Sequence, residues 1–307
     1  MKIAIVGTGA IGGWYAALLT EAGHEVHCLA RSDHEAINRQ GLTIRHDGKT
    51  RTVRVASATE DPARIGRCDL VVVTLKSTSN AALPGLLRPL VGPATIALTL
   101  QNGMGNVEAL AASLPRERIV GGLCFVCINR TAPGVIETTL AGYVRMAAAD
   151  GPAGEPTRRC AALFASARVD CAAEDSLEAI LWKKLCWNIP FNGLSIAAGG
   201  ATTDLILADP ALNERAYLLM KEVQAAAKAR GHAFEDSHIK RQFVVTVGMG
   251  AYRPSSMIDY MEGRDVEVDG IWGEPHRRGV EAGVAMPETA RLIGEIRARL
   301  ASRKSPR

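Results

Sequence analysis

The 307-residue chain reads as an α/β protein: an open, mostly parallel sheet covered by helices, followed by an all-helical C-terminal domain. Three observations predict this. From Lys2 to about Cys171, short β-branched runs alternate with Ala- and Leu-rich helical stretches, as parallel strands joined by helical crossovers do. After Glu174 the strand signal stops and helical periodicity takes over. The length suits two domains of about 150 residues each, so the expected domains are 1–174 and 175–307.

The elements follow in order. "KIAIVG" begins the first strand, "HEVHCLAR" the second, "CDLVVVTLKS" a fully apolar central one and "ATIALTLQNG" the next; continuous apolar runs mark strands buried on both faces. "GLTIRHDGKTRTVRVAS" alternates apolar and polar residues around Asp47 and Gly48, which predicts a hairpin. "GGLCFVCINRTAPGVIETT" and "GYVRMAAA" are expected as antiparallel additions to one edge, and "SARVDCAAE" closes the domain. Beyond it, a helix starts near Ser176 and passes through Lys184. Asp209 and Pro210 start another, with Asp capping free N–H groups and Pro in the first turn, and Gly231 stops it. A last helix is expected from Pro287 to about Leu300, with "SRKSPR" as a frayed basic tail.

Composition excludes several classes. Hydrophobic residues make up 47% and the formal net charge is only +4, with no long basic run, so neither nucleic acid nor a membrane surface is expected as a partner. No apolar run reaches the roughly 18 residues that span a bilayer. Four glycines break the apolar N-terminus, which has no small-residue cleavage pattern and so does not read as a signal peptide. The seven cysteines are scattered and odd in number, as expected of reduced thiols in the cytoplasm. Cys124 and Cys127 lie in an apolar strand without a second pair, and the histidines show no ligand spacing, so no metal is expected.

Gly7, Gly9 and Gly12 form G-x-G-x-x-G directly after the first strand and at the start of a helix. The first Gly allows the tight turn, the second lets a pyrophosphate approach the backbone, and the third allows close helix-strand packing. That context identifies a doubly wound, Rossmann-type dinucleotide site, with Gly7, Thr8, Gly9, Ala10, Ile11 and Gly12 as its cofactor-binding loop. Dinucleotide sites selective for NAD end the second strand in an acidic residue; here the strand ends Leu29, Ala30, Arg31. A guanidinium suits a 2′-phosphate, so NADPH/NADP is the expected cofactor. Lys76 and Asn102 stand at the carboxyl ends of the next two strands, where ligands bind in open α/β sheets. In "LWKKLCWNIPFNGLS", Lys184, Asn188 and Asn192 recur every four residues and share one helical face amid apolar neighbours, as the lining of a ligand cleft would. Ser255 and Glu267 come from "PSSMIDYMEGRDVEVDG"; taken alone, each reads as well as an idle surface residue.

Together, "VGTGAIGG", "LKS", "QNGMGN", "WKKLCWNIPFN", "PSSM" and "EGRDVEVD" resemble, in order and over nearly the whole chain, the ketopantoate reductase family (2-dehydropantoate 2-reductases). The resemblance implies a Rossmann domain, a helical domain, an active site in the cleft between them and NADPH-dependent reduction of 2-dehydropantoate to pantoate, a step toward pantothenate and coenzyme A. It implies Lys184 as catalytic acid and Glu267 as a second essential residue contacting substrate and cofactor. It implies Asn188, Asn192 and Ser255 as substrate binders, and Asn102 as a contact to cofactor, substrate and lysine, with Lys76 beside the cofactor. The expected partners are a small-molecule 2-ketoacid and, at most, a second copy of the chain in a homodimer. Two departures bear on the substrate. Pro190 lies between Asn188 and Asn192, where it is expected to kink or end the helix, and Trp272 and Pro275 follow Glu267 in place of simpler helical sequence. They keep open a paralogous reductase of another 2-ketoacid, beside a non-catalytic NADPH-binding regulator.

Overall fold

The computed structural model describes residues 1–304 and divides them into two compact units. The first comprises Met1–Gln101 and Asn106–Leu177, the second Asn102–Gly105 and the chain from Glu178 onward.

The first unit is built on ten strands: β1 (Lys2–Val6), β2 (Glu25–Leu29), β3 (Leu42–His46), β4 (Lys49–Val53), β5 (Ser57–Thr59), β6 (Leu70–Val73), β7 (Ile96–Thr99), β8 (Ile119–Ala132), β9 (Val135–Ala148) and β10 (Asp170–Ala173). Its helices are α1 (Ala10–Glu21), α2 (His34–Gln40), α3 (Leu83–Leu87), α4 (Asn106–Ala111) and α5 (Glu155–Ser166). Five parallel pairings give the order β5-β2-β1-β6-β7-β8, the strand order of a dinucleotide-binding sheet whose direction reverses between β1 and β6. The continuous apolar runs explain why these strands sit centrally. Ile3 and Ile5 of β1, Leu70 and Val72 of β6 and Ile96 and Leu98 of β7 face one core. Ala4, Val6, Val71, Val73 and Ala97 face the other, so period-2 alternation buries both faces.

The β3–β4 hairpin forms as expected: His46 pairs with Lys49, and both turn residues take positive φ, 49° at Asp47 and 70° at Gly48, as a two-residue primed turn requires. The β8–β9 pair is antiparallel, but it is not at an edge. It lies inside the sheet, with β7 on one flank and both β3 and β10 on the other. Alternation reports which face of a strand is buried and is silent about its neighbour. At fourteen residues, β9 is long enough to pair with β3 through Val135–Thr138 and with β10 through Tyr143–Met146.

The second unit is helical: α6 (Leu177–Ala197, its first residue still in the first unit), α7 (Thr203–Ala208), α8 (Pro210–Ala229), α9 (Asp236–Met249), α10 (Ser255–Met261), α11 (Glu274–Glu281) and α12 (Pro287–Lys304), with a π-helical turn at Asp269–Gly273. Asp209 caps α8 by accepting from the N–H groups of Ala211 and Leu212 at 2.8 and 3.1 Å, and Gly231 ends it with φ 83°. α12 runs four residues past Leu300, which takes Ser302–Lys304 out of the expected frayed tail; the rest of that tail lies outside the described residues. α6 does not end at Pro190 either, and its helical assignment runs unbroken to Ala197. Proline removes one N–H and crowds one carbonyl, while burial of every residue from Leu185 to Ile196 stabilises the segment by several times that cost. Among the described residues no helix is long and apolar enough to cross a membrane. All seven cysteines are free, and burial pushes the thiols of Cys28, Cys160, Cys171 and Cys186 up to about 12, leaving them unreactive thiols.

Three carboxylates are held by arginines: Glu274 within α11, and Glu178 and Asp33 by distant segments. Arg277 and Arg278 outweigh burial and hold Glu274 down at about 2. Burial raises Glu178 and Asp33, but Arg230 and Arg130, respectively, more than offset it, and both lie below their ordinary values. A folded-state pKa below the unfolded one contributes stability that is complete above the unfolded pKa and lost as pH falls through the folded one. The melting temperature is therefore expected to hold near neutrality and to fall steadily between pH 4.5 and about 2; calorimetry showing a flat profile across that window would contradict these ion pairs.

Candidate active site

In the first unit the glycine loop joins β1 to α1. Gly7 takes φ 98°, open to glycine at little cost, and a Cβ there would lie 2.7 Å from the backbone nitrogen of Leu75. A Cβ on Gly12 would lie 2.3 Å from the carbonyl oxygen of Gly7, so the third glycine is required for close packing. At Gly9, by contrast, a Cβ would meet nothing within 4 Å. The backbone between two crowded glycines is thus open on the side from which a pyrophosphate approaches. The N–H groups of Ala10, Ile11 and Gly12 lie in the first turn of α1, where no intrahelical acceptor exists, and Gly9 brings no side-chain cap. Open backbone and uncommitted N–H groups fit a dinucleotide pyrophosphate.

One side-chain hydroxyl and one backbone carbonyl hold this loop. The hydroxyl of Thr74, after β6, donates to the Gly7 carbonyl at 2.7 Å, and the N–H groups of Gly7 and Thr8 donate to the Leu29 carbonyl at 3.1 and 3.3 Å. Thr74 was not singled out from the sequence; its signal is a hydroxyl ending an otherwise apolar central strand. Arg31 follows the end of β2 and is exposed, making no ion pair among the described residues. Lys76 is half-buried three residues beyond β6.

In the second unit, Lys184, Asn188 and Asn192 lie on one face of α6, as their spacing predicted. Lys184 Nζ donates to Asn102 Oδ1 at 2.7 Å, joining residues 82 positions apart. The segment Asn102–Gly105 is docked for this purpose. Met104 N–H donates to the Gly270 carbonyl at 2.9 Å, and Gly103, at φ 82°, approaches so closely that a Cβ would lie 2.2 Å from the Gly270 oxygen. Gly103→Ala is therefore expected to destabilise the protein by about 1–3 kcal/mol; an alanine variant with an unchanged urea midpoint would show that the segment moves aside freely. In the first unit, Gln101 and Asn106, which flank this segment in sequence, join a buried amide chain. Thr99 donates to Gln101, Gln101 to Asn80 at 2.7 Å, and Asn80 to Asn106 at 3.0 Å.

Asn188 is 9% exposed and its amide makes no hydrogen bond among the described residues, which suits a side chain that binds a polar ligand. Asn192 is buried and accepts the backbone N–H of Ser256 at 3.0 Å, and so holds the first turn of α10. Ser255 begins that helix and is exposed, while Ser256 is the buried one. Glu267 is 7% exposed, and its carbonyl accepts the N–H of Ile271 at 3.1 Å at the entry to the π-helical turn. The departure Trp272 is bonded to the residue before the departure Pro190. The Trp272 indole N–H donates to the carbonyl of Ile189 at 2.9 Å, and a Cβ on Gly193 would lie 2.8 Å from that indole nitrogen. Glycine follows the second asparagine because the side chain of Leu292, 2.5 Å from such a Cβ, and the indole together occupy the space.

Comparison with known proteins gives this geometry a context. The family described as ketopantoate reductase PanE/ApbA matches residues 3–151, and its C-terminal counterpart matches residues 176–300. A 2-dehydropantoate 2-reductase from Nostoc sp. is 40% identical over 96% of this chain and 94% of its own. The crystal structure of a 2-dehydropantoate 2-reductase from Geobacter metallireducens superposes with TM-score 0.93 at 39% identity, covering 97% of this chain and 99% of that one. A D-mandelate dehydrogenase solved with NADH and anilino(oxo)acetate has TM-score 0.90 over the full length of both chains at 21% identity, a likeness of fold. Matched in both halves, the chain belongs to the ketopantoate reductase PanE/ApbA family and is an oxidoreductase that works with a nicotinamide dinucleotide.

Proposed function

We propose that the protein reduces 2-dehydropantoate to pantoate with NADPH, residues 1–174 binding the dinucleotide and residues 175–307 binding the substrate. The observation that carries this reading is the 2.7 Å hydrogen bond from Lys184 Nζ to Asn102 Oδ1, which commits one N–H of the ammonium and fixes the direction of the others. When bound, the cofactor supplies the hydride. Negative charge then develops on the substrate's keto oxygen, and the Lys184 ammonium stabilises it and delivers a proton to it. The uncommitted amide of Asn188 and the hydroxyl of Ser255 offer donors to the substrate carboxylate. Asn192 acts through the first turn of α10, which carries Ser255. Glu267 accepts from the distal hydroxyl of 2-dehydropantoate, which favours an acid that carries that hydroxyl. Arg31 pairs with the 2′-phosphate. A cytoplasmic location accompanies this reading, in keeping with the seven free thiols.

A second reading, a reductase of another 2-ketoacid, is favoured by the seating of Trp272 against Ile189 and Gly193, which directly follow the two asparagines on α6. One assay separates the readings: NADPH oxidation by the purified protein with 2-dehydropantoate beside a panel of other 2-ketoacids. Turnover of 2-dehydropantoate above all others is expected. Turnover of a different acid alone would establish the second reading, and tight NADPH binding without turnover of any acid would mark a regulator.

A further inference from the structure

An acidic residue does follow β2, four positions beyond its end, and the fold has disarmed it. Asp33 comes two residues after Arg31, in the segment leading from β2 to α2. In this fold the end of the second strand is where the adenosine ribose lies and where a carboxylate selects its free 2′-hydroxyl. Here the glycine loop is bonded to that strand end through the Leu29 carbonyl. The Asp33 side chain is only 3% exposed. Nη1 of Arg130, from β8, donates to both of its oxygens at 2.6 and 2.7 Å. Ser32 adds its hydroxyl at 2.7 Å and Gly134 its backbone N–H at 3.2 Å. Every partner of the carboxylate is thus on its own loop or on the β8–β9 hairpin. The Arg130 side chain remains 39% exposed; its Nε and Nη2 donate to no protein group among the described residues.

We infer that Arg130 is a specificity-determining residue for the cofactor. It draws Asp33 into the protein, cancels its charge and leaves the end of β2 to Arg31, so that a 2′-phosphate meets net positive charge. This inference rests on the NADPH reading above. An ion pair that served only to tie the hairpin to the β2–α2 loop would affect NADPH and NADH alike. One that governs the field at the 2′-position changes their ratio, because the two cofactors differ only there.

The test is the dissociation constants of NADPH and NADH, from cofactor fluorescence titrations, for the wild type and for Arg31→Ala, Arg130→Ala, Arg130→Lys and Arg130→Ala with Asp33→Asn. Arg130→Ala, which uncovers the carboxylate, is expected to cut the NADPH preference about tenfold, or about 1.4 kcal/mol, with NADH binding little changed. Arg130→Lys keeps a positive charge beside Asp33 and should hold the wild-type ratio to within about threefold. Adding Asp33→Asn to Arg130→Ala removes the exposed charge and should restore most of the ratio. Equal losses for both cofactors in Arg130→Ala, or a double variant as unselective as the single one, would overturn the inference while leaving the NADPH reading in place. A wild type without preference for NADPH, unaffected by Arg31→Ala, would remove that reading and the inference with it.

Discussion

Replacing Lys184 by alanine is expected to lower kcat about 10³-fold, within the range of a positioned general acid, while the NADPH dissociation constant changes less than about threefold. The two effects separate because the glycine loop and Arg31, proposed to hold the cofactor, belong to the first unit, whereas Lys184 and its partner Asn102 belong to the second. Asn102→Ala should have a smaller effect, about tenfold to a hundredfold on kcat, because the ammonium stays and only its aim is lost. Steady-state kinetics with fluorescence titration of NADPH measure both. An alanine variant at 184 with near-normal kcat would take the proton donor's role from this lysine. A variant that lost NADPH binding in step with kcat would make Lys184 a cofactor contact instead.

Trp272→Ala is expected to be the most destabilising of these changes, by about 3–5 kcal/mol, as for other large buried aromatics. The indole is fully buried in the core of the second unit and donates its one N–H to Ile189 beside Pro190. Trp272→Phe separates the terms: it keeps most of the apolar volume and loses the hydrogen bond, which should cost about 0.5–1.5 kcal/mol, with some cavity cost besides. Urea unfolding of the two variants gives the numbers. If the indole also shapes the stretch of α6 that carries Asn188 and Asn192, the phenylalanine variant will shift the relative kcat/KM among 2-ketoacids. Equal stability of the alanine variant and the wild type would contradict the packing described.

Features legible in the sequence were those fixed within a few residues. The hairpin at Asp47 and Gly48 and the cap at Asp209 were of this kind, since turn geometry and capping are properties of short segments. The spacing of Lys184, Asn188 and Asn192 was legible because one helix carries all three. Its meaning was not equally legible for each. Asn188 retains an uncommitted amide, whereas Asn192 is occupied by the N–H of Ser256, 64 residues away. Pro190 does not end the helix as one of its two expected outcomes, because burial along the whole segment offsets the local cost. Asp33 was overlooked as an acid near the second strand because only its pairing with Arg130, 97 residues away, shows what it does.

The sequence by itself therefore determined the glycine loop, the succession of strands and helices and the polar face of α6, because φ preferences and the 2.0 and 3.6 periods are written residue by residue. Only the tertiary structure decided that β8 and β9 lie inside the sheet. It alone groups Asn102–Gly105 with the second unit, brings Lys184 to Asn102, and turns Asp33 inward toward Arg130. Each of these depends on which distant group a side chain or strand meets. A hydrophobic period states that a face must be buried and leaves its partner to be chosen by packing, hydrogen bonding and charge over the whole chain.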